Sequence, residues 1–245
     1  MKKTFMTKIK EQIERIDNYC YDERFYRKQS LDGKDLYVPS VTYVLGCAYP
    51  YDFGLIQWRG DVGNKRAEEI LEETSADGIF IHAGIEAILK DKEIIRKNIE
   101  TTFSPRRSLK IMRCLKAFLD WYKEYQPIVL STEYIIWNDQ HKYAGTVDLK
   151  CQIGAEIYLI DFKSSKSIHN SHKVQVCAYN LASPCDKIAI LHLGNTTKQK
   201  YSFLVLKDKE KKLYTEEWLQ TNKLFQTLYP DAKPTNETFP DIFKI

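Results

Sequence analysis

Two acidic residues and a lysine lie on two neighbouring predicted strands. Asp161 and Lys163 follow the apolar run 157–160, and because side chains alternate along a strand they share one face. Asp148 lies in the preceding run, and Gly154 marks the turn that would bring Asp148 beside Asp161. Two neighbouring carboxylates repel each other unless a cation lies between them, and Mg²⁺ prefers hard oxygen ligands. These residues predict a divalent-metal site.

Each member of this group also has a structural explanation. Asp161 and Lys163 could form a plain ion pair, or Asp148 could pair with Lys163. Glu133, in the strand before, could complete the acidic edge or hold a metal-bound water, or it could be an ordinary exposed strand residue. His82 lies on an otherwise apolar helix face, where it could be a ligand or a packing residue.

The residue types of this group are consistent with phosphodiester hydrolysis. That reaction needs a nucleophilic water, stabilisation of charge on the phosphoryl group and help for the leaving oxygen. A carboxylate-held Mg²⁺ supplies two of these, and a nearby lysine supplies the third. Ser164 and Ser165 could be interpreted as nucleophiles, but no matching base and acid accompany them.

Basic and aromatic residues elsewhere in the chain are candidates for nucleic-acid contact. Phosphates attract Lys and Arg, and the bases of a single strand stack on aromatic rings. A solvated helix face explains the basic residues equally well, and core packing explains Trp58. The candidates are Lys65, Arg66, Arg106, Arg107 and Lys110 for phosphates, and Trp58 and Tyr51 for bases.

The elements before residue 126 are predicted to be mainly helical. Asp32-Gly33 is a turn pair that predicts a hairpin between the runs 21–26 and 36–38. Ser40 is predicted as the N-cap of a following helix. Apolar spacing predicts helices from Phe5 to Ile16, Gly54 to Glu73, Gly78 to Leu89 and Ser108 to Tyr125.

After residue 126 the pattern changes to short β-branched and aromatic runs. Runs 129–137, 143–151 and 156–162 predict a three-stranded antiparallel meander. A helix, two strands and a closing helix are then predicted over 171–181, 187–193, 200–206 and 210–228. This order favours an α/β or α+β fold over a parallel doubly wound sheet.

The order of the candidate residues along the chain resembles RecB-like nucleases of the PD-(D/E)XK superfamily. Two further segments and Trp58 are similar to the mitochondrial genome-maintenance exonuclease and its phage or bacterial relatives. The segments are Pro39-Ser40-Val41-Thr42 and Glu217-Trp218-Leu219, and the resemblance covers about residues 38–229. The superfamily pattern is carried by Gly78 with His82, Glu133, Gly145-Thr146-Val147-Asp148, Asp161-Phe162-Lys163-Ser164-Ser165-Lys166, and Gln175 with Tyr179.

The resemblance implies a restriction-endonuclease-like core, with a central mixed β-sheet flanked by helices and an N-terminal helical elaboration. It implies that Asp148, Asp161 and His82 are ligands of Mg²⁺ or Mn²⁺ and that Lys163 is the catalytic lysine. Glu133 matches a further acidic position. Gln175 and Tyr179 match a motif that contacts DNA and supports the site.

The implied organisation is a single nuclease domain over residues 1–245. Its parts are an N-terminal extension (1–37), a helical part with the histidine motif (38–125), a catalytic sheet core with its closing helix (126–229) and a tail (230–245). The implied function is a DNA exonuclease acting on single-stranded ends in replication, repair or recombination. A structure-specific endonuclease and an inactive DNA-binding module are the alternatives.

Composition places this protein among globular chains. The residues are 43% hydrophobic and 29% charged, with no apolar stretch of membrane-spanning length and no secretory signal, so a cytoplasmic protein with no membrane partner is expected. The net charge of +4 is too small to decide for a nucleic-acid partner. The six cysteines form no CxxC pair, and their spacing departs from that of relatives with an iron–sulfur cluster, so no cluster is expected.

Overall fold

The computed structural model describes residues 13–18, 23–29, 33–51, 53–194 and 201–235. Within these residues the strands are β1 (Ile13–Asn18), β2 (Glu23–Gln29), β3 (Asp35–Pro39), β4 (Ile128–Asn138), β5 (Tyr143–Ile153), β6 (Glu156–Lys163), β7 (Lys187–His192) and β8 (Ser202–Val205). The helices are α1 (Val41–Ala48), α2 (Phe53–Val62), α3 (Asn64–Leu89), α4 (Arg96–Thr102), α5 (Pro105–Tyr125), α6 (Asn170–Ala182) and α7 (Asp208–Leu228).

The centre of the fold is a five-stranded mixed sheet in the order β4-β5-β6-β7-β8. Strands β4, β5 and β6 form the predicted antiparallel meander. Helix α6 then crosses over to β7, which pairs in parallel with β6, and β8 returns antiparallel to β7. A mixed sheet flanked by helices is an α+β fold, so the predicted fold class is confirmed.

Helices cover both faces of this sheet, and the core therefore has two halves. Alternation along β7 sends Ile188 and Ile190 to one half and Ala189 and Leu191 to the other. The first half is completed by residues of α1, α6 and α7, and the second by residues of α3 and α5. Among the described residues, no helix combines the length and apolar character that crossing a bilayer requires.

The N-terminal part contains a three-stranded antiparallel sheet in the order β1-β2-β3. The predicted hairpin between β2 and β3 is confirmed, with Gly33 at φ 83° just before β3, although Asp32 lies outside the described residues. The predicted helix ending at Ile16 is wrong from Ile13 onward, while residues 5–12 lie outside the described ranges. Pairing with β2 makes this segment a strand, because tertiary partners override weak local propensity.

The largest difference between the predicted and the observed helix boundaries concerns α2 and α3. Ser40 is the N-cap of α1, as predicted, and its Oγ accepts a hydrogen bond from Tyr43 N at 3.0 Å. The predicted break between residues 73 and 78 is absent, because α3 runs unbroken from Asn64 to Leu89. The break lies instead at Gly63, whose φ of 82° suits a residue without a Cβ.

Smaller differences concern the ends of the remaining elements. Helix α4 was not predicted, and α5 begins at Pro105 instead of Ser108. The predicted strand 200–206 is observed as β8 from Ser202, and residue 200 lies outside the described part of the chain. Of the predicted tail, residues 236–245 also lie outside it, and Thr235 donates two hydrogen bonds to Glu23 through its N and Oγ1 at 2.9 and 2.7 Å.

Gly194 allows the chain after β7 to pass the segment that follows Lys163. A Cβ atom built on Gly194 would lie 2.2 Å from Ser165 O. We expect Gly194→Ala to lower the free energy of unfolding by about 1 to 3 kcal/mol, because the obstacle is backbone and must shift. Urea denaturation measures this change. Gly60→Ala is the control, since Gly60 lies in α2 with open space around it and alanine there should stabilise by about 0.5 to 1 kcal/mol.

A free energy of unfolding for Gly194→Ala that is equal to or above the wild-type value would contradict the close approach. The contact matters to the site because Ser164 and Ser165 directly follow Lys163. His192, the last residue of β7, supports the same segment through a 2.7 Å contact between its Nε2 and Ser165 O.

Candidate metal centre

Strands β5 and β6 separate at the end where the predicted acids lie. Their paired register runs from Ile153↔Glu156 to Leu149↔Ile160 and stops there. Beyond that point the Asp148 side chain replaces the backbone as the partner of β6, because its Oδ2 accepts a hydrogen bond from Phe162 N at 2.5 Å. Asp148 and Asp161 therefore lie on adjacent strands, as predicted, at the edge of a gap in the sheet.

Three side chains from three elements meet at this gap. One ligand atom each from His82, Glu133 and Asp148 lies within 4.8 Å of the others. His82 reaches the sheet from α3, and its Nδ1 lies 3.2 Å from Asp148 Oδ1. The pairs Thr132↔Leu149 and Tyr134↔Val147 place Glu133 on β4 opposite Asp148. A nitrogen and two carboxylates at this separation could hold one divalent cation.

The backbone of Glu133 is strained. Its φ is 47°, in the left-handed region that costs a residue with a Cβ about 1 to 2 kcal/mol. Such conformations persist only where surrounding structure holds them, and they cluster at functional sites. Strand pairing on both sides of Glu133 supplies that support. The half-buried carboxylate is thus part of the cluster and not an ordinary exposed strand residue.

Burial and mutual repulsion shift the acids away from their ordinary ionisation. Burial first, and then the Asp148 charge, raise the pKa of Glu133 to about 7. Burial likewise raises the pKa of Asp161, against the opposing effect of Lys163. Burial opposes ionisation of Asp148 too, but His82, Lys163 and the Phe162 N–H hold its pKa below the usual value. Extra positive charge at this point would therefore stabilise the acids in their ionised form.

Asp161 and Lys163 share one face and form an ion pair of 2.7 Å between Asp161 Oδ2 and Lys163 Nζ. Lys163 Nζ also donates to Gln175 Oε1 at 3.1 Å. Gln175 Nε2 in turn donates to Asp161 Oδ1 at 3.0 Å and to the Tyr179 hydroxyl at 2.8 Å. The alternative pairing of Lys163 with Asp148 is not found, because Asp148 pairs with His82.

Tyr179 reaches this network because a glycine lies on the strand beside it. A Cβ on Gly145 of β5 would lie 2.6 Å from Tyr179 Cε1. The Gly145-Thr146-Val147-Asp148 segment thus serves two purposes, since Gly145 admits the ring that supports Gln175 and Asp148 joins the metal cluster. Gln175 and Tyr179 thus hold Asp161 and Lys163 in place through hydrogen bonds, while their contact with DNA stays a prediction.

A divalent cation fits the residues present. Oδ2 of Asp161 is buried, and its polar contact within the described ranges is Lys163 Nζ at 2.7 Å. A buried carboxylate oxygen in that state retains lone pairs for a cation. The tightest ligand cluster contains Glu133 with His82 and Asp148, while Asp161 lies next to it and is engaged by Lys163. Glu133 is therefore better placed to bind a cation than its weak sequence pattern indicated.

The cleft over this cluster has a volume of about 520 Å³, and of the predicted DNA contacts only Gln175 and Tyr179 line it. Trp58 is half-buried on α2, and Lys65 and Arg106 are exposed on α3 and α5. Arg66 pairs with Glu69 at 2.8 Å. Arg107 and Lys110 instead pair with the buried Asp77 of α3 at 2.7 and 3.1 Å, which ties α5 to α3.

Three charged residues that line the cleft were missed by the sequence reasoning. They are Arg15 of β1, Arg24 of β2 and Glu86 of α3. Arg15 was missed because its segment was interpreted as a helix. In the strand that is observed, side chains alternate between the two faces, and this alternation directs Arg15 to the cleft. Glu86 follows His82 by one helical turn, a spacing that could have flagged it.

Fold and site together define an α+β protein with a His/Glu/Asp cluster at the open end of a mixed sheet. No family model matches the chain, and no curated protein matches it. Among solved structures, the crystal structure of SSO0001 is 14% identical and aligns with 63% of this chain and 82% of its own, with a TM-score of 0.29. A likeness of that size carries no argument about function.

Proposed function

We propose that this chain is a Mg²⁺- or Mn²⁺-dependent deoxyribonuclease that hydrolyses phosphodiester bonds at single-stranded DNA ends. The observation that carries the proposal is the cluster of His82, Glu133 and Asp148, with ligand atoms within 4.8 Å, beside the Asp161–Lys163 pair. A cluster of metal ligands next to an ammonium group matches the needs of phosphoryl chemistry. The sequence resemblance to RecB-like nucleases supports the same class.

His82, Glu133 and Asp148 would hold the cation, with Asp161 at its side. When bound, the ion would lower the pKa of a water and offset charge on the phosphoryl oxygens. Glu133, whose pKa is raised to about 7 in the metal-free protein, must release its proton before it can bind the cation. His82 must do so too: burial, the largest single effect, lowers its pKa, but the charge of Asp148 and its hydrogen bond with His82 together raise that pKa above the ordinary value.

Lys163 is the residue best placed to act on the substrate. Asp161 and Gln175 fix its ammonium group at the edge of the cleft. From there it would stabilise the negative charge that develops on the phosphate, or orient the attacking water. Tyr179 and Gln175 hold this geometry from α6 and would limit how far the lysine moves during the reaction.

The substrate is proposed to be a DNA strand with a free end, in replication, repair or recombination within a bacterial or phage-infected cytoplasm. The test is digestion of linear and closed circular single-stranded DNA with Mg²⁺, Mn²⁺ or EDTA. We expect linear DNA to be degraded with either metal, and circular DNA and the EDTA samples to stay intact. Cleavage of circles would indicate an endonuclease, and binding without cleavage would indicate an inactive DNA-binding module.

A further inference from the structure

One face of the N-terminal sheet lines the cleft opposite the metal cluster. In the register of β1 and β2, Arg15 pairs with Tyr26 and Asp17 pairs with Arg24. Alternation along each strand puts these four side chains on the same face. Arg15, Arg24 and Tyr26 line the same cleft as His82, Glu133 and Asp148. Two guanidinium groups thus share a cavity with the candidate metal ligands.

Asp17 holds the two arginines side by side. Arg15 Nε lies 2.9 Å from Asp17 Oδ2, and Arg24 Nε lies 3.0 Å from Asp17 Oδ1. Arg24 Nη1 also donates to Thr42 Oγ1 at 3.3 Å. Within the described residues the two guanidinium groups share the Asp17 carboxylate, so the geometry of the pair is already fixed before any ligand arrives.

The sheet that bears the arginines is attached to the strand that bears Asp148. The Tyr26 hydroxyl lies 2.7 Å from Thr146 Oγ1, two residues before Asp148 on β5. Ser40, directly after β3, forms a parallel bridge with Ala144 of the same strand. The Arg15 charge is also felt at the cluster, where it lowers the pKa of Glu133 against the larger effect of burial.

A nucleic-acid strand that enters this cleft needs a positively charged surface to bind to. The acids of the cluster and Glu86 repel a polyanion, whereas an arginine pair attracts it. Arg is suited to the task because its planar fork binds two phosphate oxygens at once. Arg24 has five N–H donors, and its hydrogen bonds within the described ranges use only Nε and Nη1. Nη2 therefore remains available for an oxyanion.

We propose that Arg15 and Arg24 form a phosphate-binding site for the backbone of a single DNA strand, next to the phosphate held at the metal cluster. This inference rests on the proposed nuclease function, which it deepens by naming how the strand is gripped. The two residues act on substrate binding and take no part in the bond-breaking step. Their ligand is an internal phosphodiester group, recognised by charge and shape and not by base sequence.

The test measures binding of a fluorescein-labelled single-stranded oligonucleotide by anisotropy in EDTA, so that cleavage plays no part. Arg15→Gln and Arg24→Gln should each bind the strand on the order of tenfold more weakly. The plot of log affinity against log salt concentration should become shallower by about one for each variant, as expected for one lost phosphate contact. With Mg²⁺ present, KM for DNA should rise while kcat stays near wild type.

Arg27→Gln is the matched control. Arg27 lies on the same strand as Arg24 but three residues further on, so it points to the opposite face, where it pairs with Glu14 and Asp35. The net charge falls by the same amount, yet binding should stay at the wild-type value. Equal weakening by Arg27→Gln would show a general charge effect and overturn the proposal. Wild-type binding by Arg15→Gln and Arg24→Gln would overturn it as well.

The nuclease proposal is tested by a different measurement, which is DNA cleavage by the wild-type protein in the presence of metal. A wild type that cleaves, with arginine variants of unchanged affinity and KM, refutes only the phosphate site. A wild type that binds DNA through these arginines but never cleaves refutes only the nuclease. If Arg24→Gln fails to fold, Arg15→Gln on the edge strand β1 carries the test, with thermal melting as the check on folding.

Discussion

Replacing Asp148 with asparagine is expected to weaken Mn²⁺ binding by more than 100-fold and to lower the DNA cleavage rate below about 0.1% of the wild-type rate. Asparagine keeps an oxygen that can accept the hydrogen bond from Phe162 N, so the splayed end of β5 and β6 should remain. What it removes is the charge that lies within reach of His82 and Glu133. Loss of a direct ligand should exceed the roughly 10- to 100-fold typical of an outer-shell partner.

Isothermal titration calorimetry with Mn²⁺ measures the binding, and digestion of linear single-stranded DNA measures the activity. Asp186→Asn is a matched control, because the Asp186 carboxylate also accepts a backbone hydrogen bond from β6, at Ile157 N and 2.8 Å, but at the opposite end of the strand. It should leave metal binding and cleavage unchanged. If Asp148→Asn bound Mn²⁺ as tightly as wild type, the assignment of the metal cluster would be wrong.

Replacing Lys163 with methionine should lower kcat by on the order of 10³-fold while Mn²⁺ binding is kept. Methionine retains much of the apolar stem but removes the ammonium that lies 2.7 Å from Asp161 Oδ2. The cation lost is the one proposed to stabilise charge on the phosphate. Metal binding should not suffer, because a positive charge next to the cluster repels a divalent ion and its removal relieves that repulsion.

The measured quantities are single-turnover cleavage rates with saturating metal and the Mn²⁺ dissociation constant of the same variant. Lys187→Met provides the control, since Lys187 lies on β7 and pairs with Glu156 at 3.2 Å on the surface. A purely structural ion pair at Lys163 predicts a different pattern, in which stability falls and the cleavage rate of the folded protein does not. That pattern would refute the catalytic role of Lys163.

The sheet core could be predicted well from local sequence. Strands β4, β5 and β6 are short β-branched runs bounded by polar turns, and each was placed to within a few residues. The turn at Gly154, with φ 61°, fixes β5 against β6 and so brings Asp148 and Asp161 to neighbouring strands. Alternation alone put Asp161 and Lys163 on one face. These features follow from the sequence because they depend on residues close together in the chain.

The N-terminal sheet and the cleft wall could not be predicted in the same way. Residues 13–18 carry too few apolar residues to distinguish a strand from a helix, and they become a strand by pairing with β2. The places of Arg15 and Arg24 follow from that pairing. Similarly, the predicted DNA contacts Arg107 and Lys110 looked exposed in sequence, whereas both are engaged by Asp77, about 30 residues earlier.

The sequence by itself determined the fold class, the meander and the local pair Asp161–Lys163. Only the tertiary structure decided which residues form one ligand cluster. His82 and Asp148 are 66 residues apart and meet because α3 packs over the sheet. Glu133 joins them because its left-handed backbone and its register opposite Asp148 direct it to the gap. Strand registers and helix packing set distances between remote residues, and neither can be calculated from the spacing of residues along the chain.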